Sequence, residues 1–133
     1  MESLLAGKNV LVIEDETLVA ELVVDIADDM GANAVVIATH VEQALACIAD
    51  RPWDLAILDH NLNGTPSWPV ADALKRRGIP YLVVSGYGGD IRVDASTILL
   101  AKPYNVADFV AAIRKVTAPG ATPSGSERSC ATL

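Results

Sequence analysis

Apolar residues follow two rhythms along this chain, and the rhythms alternate. Val10, Leu11, Val12 and Ile13 are consecutive and mostly β-branched, as in a strand buried on both faces. Residues 8–13 therefore read as a first strand. Leu18, Leu22, Ile26 and Met30 then recur every fourth residue, with Val19 and Val23 alongside, and Glu21, Asp25, Asp28 and Asp29 take the other face. That spacing predicts an amphipathic helix, which Gly31 stops. Residues 34–38 form a second apolar run. Thr39, with Glu42 three residues on, has the form of a capping box. It opens a helix striped with Val41, Ala44, Leu45 and Ile48 and ended by Arg51-Pro52. Residues 55–58 are a third strand, and 59–69, rich in Asn, Gly and Pro, read as a loop. Pro69 suits the first turn of a third helix that carries Val70, Ala73 and Leu74 and stops at Gly78. Residues 81–84 give a fourth strand and 85–89 a Gly-rich turn. Residues 90–95 have room only for a short fourth helix, and 97–101 give a fifth strand. Asn105 caps a last helix with Val106, Phe109, Val110, Ile113 and Val116 on one face.

Strand followed by helix, five times over, predicts an α/β fold: a doubly wound, five-stranded parallel sheet with helices on both faces. The domain spans 7–117. From Ala118 onward Pro, Gly, Ser and Thr dominate, so 118–133 reads as a flexible tail. A length of 133 residues suits one domain and excludes a large multidomain enzyme. With 51% hydrophobic residues the chain can bury a core. Ten basic residues against seventeen acidic ones leave a net charge of −7, which repels phosphate backbones and anionic bilayers. Neither nucleic acid nor a membrane is expected as a partner. No signal-like segment and no bilayer-length apolar run stands out. Cys47 and Cys130 lack metal-binding spacing and make a structural disulfide improbable, which suits a reducing cytoplasm.

Ligands of open α/β sheets bind beyond the C-terminal ends of the strands. Glu14 and Asp15 follow the first strand, Asp59 the third, Ser85 the fourth and Lys102 the fifth. If the first and third strands are neighbours, the three carboxylates converge, and like charges there raise a pKa or demand a cation. Hard oxygen ligands suit Mg²⁺, which is commonly held by one or two carboxylates plus a phosphate. A cation, one lysine and one hydroxyl around an aspartate make a phosphoryl site. The aspartate attacks phosphorus, cation and lysine neutralise the transferring oxygens, and the serine donates a hydrogen bond.

In these motifs the chain resembles a response-regulator receiver domain, the CheY-like phosphoacceptor of two-component signalling. The motifs are Val-Leu-Val-Ile-Glu14-Asp15-Glu, Leu-Asp59-His-Asn-Leu-Asn-Gly64, Val-Val-Ser85-Gly and Ala-Lys102-Pro103-Tyr, each at a strand end. The resemblance implies a flavodoxin-like sheet of order 2-1-3-4-5. It implies Asp59 as phosphoacceptor and Asp15 and Asp59 as Mg²⁺ ligands, with Glu14 acting directly or through water. It also implies that the Asn61 backbone carbonyl completes the protein ligands, and that Ser85 and Lys102 contact the phosphoryl group. The donor would be a sensor histidine kinase or a histidine phosphotransfer protein. Output would pass to a downstream protein through the face of the fourth helix, fifth strand and fifth helix. Homodimerisation stays open; Arg114 and Lys115 on the last helix would serve it, or nothing.

Leu99 stands where many receivers carry an aromatic switch residue, a departure from the family's hydroxyl–aromatic coupling; Tyr87 and Tyr104 stand nearby in sequence, and whether either replaces it stays open. Ser85-Gly86-Tyr87 and the 61–74 stretch are similar to the stand-alone or kinase-attached "FAT GUY" receivers found with HWE-type kinases. His60 follows Asp59 where an apolar residue is more usual.

Each motif has a plainer reading. Glu14-Asp15 suits a helix N-terminus, Asp59 a loop, Ser85-Gly86 a turn and Lys102 a surface. His40 and His60 read as surface or loop residues, and Trp53 and Trp68 as packing. The joint occurrence defeats the plain readings. An aspartyl-phosphate hydrolase would want an aspartate where Asn61 stands. A flavin binder would need a phosphate cradle where Glu14 and Asp15 stand. Within the receiver reading, a phosphoryl sink or relay, or a phosphorylation-independent binding module, remains an alternative to a switch.

Overall fold

The computed structural model describes residues 4–62, 64–85, 98–101 and 105–117 of the chain. In chain order it runs β1 (Asn9–Ile13), α1 (Thr17–Asp29), β2 (Ala34–Ala38), α2 (Val41–Asp50), β3 (Leu55–Asp59), β4 (Asn61–Leu62) and β5 (Thr65–Pro66). It continues through α3 (Trp68–Arg76), β6 (Tyr81–Ser85), β7 (Ile98–Ala101) and α4 (Val106–Thr117). The main sheet is five-stranded and parallel, in the order β2-β1-β3-β6-β7. With β6 and β7 as the fourth and fifth strands, this is the expected 2-1-3-4-5 arrangement.

Each strand side chain points to the opposite face from its neighbour, so a continuous apolar run feeds two cores at once. Val10, Val12, Leu55, Ile57, Leu82 and Val84 pack with Val23 and Ile26 of α1 and with Phe109 and Ile113 of α4. Leu11, Ile13, Ala56, Leu58 and Val83 pack on the other side with Ile48 of α2 and with Val70 and Leu74 of α3. The first core also takes in Leu5, fully buried two residues before Gly7. Gly31, at φ +91°, ends α1 in the left-handed region that glycine tolerates best.

Several local expectations are corrected. Leu18 is 84% exposed and Leu22 55%, so only the second half of the every-fourth-residue stripe, Ile26 and Met30, is buried. Ala20, Val23 and Ala27 complete the buried face of α1. Val106 is likewise exposed at the start of α4. The cap of α2 slides by one residue. His40 Nδ1 accepts from the Gln43 N–H at 3.2 Å, and Gln43 Oε1 accepts from the Thr39 N–H at 2.8 Å. The reason is that α2 begins at Val41, which makes His40 the N-cap and moves Glu42 out of the reciprocal position. The 59–69 loop contains an antiparallel hairpin, with Asn61 opposite Pro66 and Leu62 opposite Thr65. Trp53 is buried, its indole N–H donating to the Cys47 carbonyl at 2.9 Å, but Trp68 is exposed at the start of α3.

Other expectations hold. Asn105 and Asp108 exchange hydrogen bonds at the start of α4, the Asp108 N–H reaching Asn105 Oδ1 at 2.8 Å. Pro69 lies in the first turn of α3. The expected fourth helix at 90–95, the Gly-rich turn after Ser85, Cys130 and the tail lie outside the described residues.

The packing predicts an asymmetry between large apolar residues. Phe109→Ala removes a fully buried ring and should cost about 3–5 kcal/mol in urea unfolding. Leu22→Ala, on the exposed face of α1, should change stability by no more than about 0.5 kcal/mol.

Candidate functional site

The site is built by strand register. β1 and β3 are neighbours, with Ile13 opposite Leu58, so the next residues, Glu14 and Asp59, reach the sheet edge at the same height. The Glu14 N–H donates to the Ala38 carbonyl at 3.0 Å, which extends the ladder one residue past β1. Asp59 closes β3 opposite Val84 of β6. Ser85 closes β6 opposite Ala101 of β7. Glu14, Asp59 and Ser85 are all buried, while Asp15 is half-buried.

Glu14, Asp15 and Asp59 each offer a carboxylate oxygen, and these oxygens lie within 4.8 Å of one another. Two unit charges at that separation repel by roughly 3 kcal/mol at a protein-like effective dielectric. Part of the charge is met locally. The Glu16 N–H donates to Glu14 Oε2 at 3.2 Å, and the Asn61 N–H donates to Asp59 Oδ1 at 3.3 Å. The donor set is entirely hard oxygen, which fits Mg²⁺ and not a soft metal. Sequence alone pointed to all three carboxylates and to Ser85, and the fold brings them to one edge of the sheet. Lys102, Pro103, Tyr87 and Tyr104 lie outside the described residues. Leu99 stands in β7 opposite Val83 and is 44% exposed.

The segment after Asp59 carries structure that the loop reading missed. Asn61 Oδ1 accepts from the Gly64 N–H at 2.7 Å, and Gly64 has φ +86°, so the hairpin turns tightly there. The His60 N–H still donates to Val84 at 2.8 Å. The His60 carbonyl accepts from both the N–H and the hydroxyl of Ser67, at 3.1 and 2.8 Å. One sequence signal was available: Asn63-Gly64 between Leu62 and Thr65 is the commonest tight-hairpin dipeptide. Ser67 carried no signal beyond that of an ordinary helix cap.

No protein-family model matches the chain. The phosphate regulon transcriptional regulatory protein PhoB of Pseudomonas aeruginosa is 30% identical over 129 residues, covering 87% of this chain and 56% of PhoB. The chain thus spans little more than half the length of that curated relative. The solution structure of SdrG from Sphingomonas melonis Fr1 is similar at 34% identity and TM-score 0.67, over 85% of this chain and 98% of SdrG. The receiver (REC) domain of the Erythrobacter litoralis response regulator PhyR is similar at 25% identity and TM-score 0.72, over 84% of this chain and 90% of that one.

The crowding of carboxylates predicts a stability crossover. Without divalent cation, Asp15→Asn relieves repulsion and should raise the unfolding free energy by about 1 kcal/mol. Wild type should gain stability as Mg²⁺ is added, and the variant should gain much less. Thermal melts in chelator and in Mg²⁺ check both halves.

Proposed function

The chain belongs to the response-regulator receiver family, and from that premise we propose that Asp59 is its phosphoacceptor in a two-component relay. The observation that carries the reading is the meeting of Glu14, Asp15 and Asp59 within 4.8 Å at the ends of neighbouring parallel strands. Ser85 is buried one strand further along the same edge.

An Asp59 carboxylate oxygen attacks the phosphorus of a phosphohistidine on a sensor kinase or phosphotransfer protein. A P–O bond forms, the P–N bond breaks, and its electron pair stays on the imidazole. Asp15, Asp59 and the Asn61 carbonyl would hold Mg²⁺, with Glu14 acting directly or through a water. When bound, that ion supplies positive charge against the transferring phosphoryl oxygens. The Ser85 hydroxyl donates to one of those oxygens, and Lys102 offsets the charge of another. Catalysis extends only to the domain's own phosphorylation and slow dephosphorylation.

The exposed Leu18 and Leu22 lie on the helix that starts two residues after Asp15, and they offer a donor an apolar landing face. Output is assigned to the face of β7, α4 and the helix expected at 90–95, which lies outside the described residues. Leu99 and Val106 on that face are exposed apolar residues of the kind a partner covers. No helix among the described residues is long and apolar enough to cross a membrane. A cytoplasmic setting, where phosphohistidine donors operate, accords with the reading.

Intact mass after incubation with Mg²⁺ and acetyl phosphate tests the proposal. One added phosphoryl group is expected, lost in chelator and in Asp59→Asn. No addition, together with no binding of beryllofluoride, overturns it and leaves a receiver fold that binds partners without phosphorylation.

A further inference from the structure

Ser67 occupies the N-cap position of α3, yet its side chain makes no capping hydrogen bond. The local sequence explains why. An N-cap hydroxyl ordinarily accepts from the second or third N–H of the helix. Here the second helical residue is Pro69, which has no N–H. The third, Val70, already donates to the Ser67 carbonyl at 2.9 Å. The hydroxyl is free for other work, and it is only 2% exposed. It donates to the His60 carbonyl at 2.8 Å, beside the Ser67 N–H on the same oxygen at 3.1 Å.

His60 is the residue between Asp59 and Asn61. Its N–H is fixed to the sheet through Val84, and its carbonyl is fixed to α3 through Ser67. The next N–H, that of Asn61, reaches Asp59 Oδ1. Asn61 and Pro66 are a non-hydrogen-bonded pair of the hairpin, because the ladder bond falls one residue away, from the Ser67 N–H to the His60 carbonyl. The Asn61 carbonyl therefore receives no ladder bond from its cross-strand partner. What sets the direction of the carbonyl is the peptide just before it.

We propose that Ser67 is a positioning residue for Mg²⁺ binding, fixing the His60 carbonyl and through it the Asn61 peptide. The inference rests on the receiver reading of the site. It links a helix cap on one face of the sheet to the metal ligands at the edge, through one buried hydroxyl. Groups that orient metal ligands typically change affinity about tenfold or more when removed.

The test is a Mg²⁺ titration of the full chain, followed by the amide shifts of Asn61 and Gly64, well below the melting temperature of every variant. Ser67→Ala should bind Mg²⁺ about tenfold more weakly than wild type. Ser67→Thr, which keeps the hydroxyl, should bind nearly as wild type, and Ser67→Cys, with a weak donor, should fall between. Thr117→Ala also loses a hydroxyl hydrogen bond, 2.8 Å to Ile113, but away from the site. It should leave Mg²⁺ affinity unchanged, so a loss there equal to that of Ser67→Ala would mean general softening and overturn the proposal. Wild-type affinity in Ser67→Ala overturns it too; if that variant does not fold, wild-type affinity in Ser67→Cys does so. No saturable response in wild type would instead remove the Mg²⁺ reading of the whole site.

Discussion

Parallel pairing of β1 with β3, Ile13 opposite Leu58, forces Glu14 and Asp59 to one height at the sheet edge. Asp15 follows directly, and three carboxylates end within 4.8 Å. The folded state carries that repulsion because the strands beneath are held by two cores. Val10, Val12, Leu55 and Ile57 anchor one face, and Leu11, Ile13, Ala56 and Leu58 the other. A one-residue slip of β1 against β3 would exchange the two sets and bury the wrong faces. The acidic cluster is thus an outcome of apolar register.

The connection from Asp59 to α3 is the second constraint. A free loop of this composition would let the Asn61 peptide wander. Instead the His60 N–H continues the ladder, Gly64 closes a tight turn onto Asn61, and Ser67 returns two hydrogen bonds to His60. The segment after Asp59 is therefore tied at both ends. Asp59 and Asn61 keep their relative positions without help from a ligand.

The strands were legible because unbroken β-branched runs leave few alternatives, and the site was legible because its residues stand where those runs stop. The helix faces were harder. Steps of four residues drift by about 40° each, so Leu18 and Met30 lie about 120° apart on α1 and cannot share one buried face. The small residues Ala20 and Ala27, silent in a pattern of large side chains, decide which side goes inward. Thr39 and Glu42 matched a capping pattern, but the start of α2 at Val41 gave the cap to His40. Ser67 was not legible at all: that Pro69 and Val70 leave its hydroxyl to hold the His60 carbonyl follows from the fold of the hairpin and not from any motif.

We propose the acidic edge as a phosphoryl site with Asp59 as its nucleophile. Borohydride converts an aspartyl phosphate into homoserine, so reduction of the acetyl phosphate-treated protein followed by peptide sequencing by mass spectrometry locates the acyl phosphate. Homoserine is expected in place of Asp59, formed only when Mg²⁺ was present. A reduced residue at Asp15 or Glu14, or phosphoryl gain with no reducible carboxylate anywhere, would contradict it.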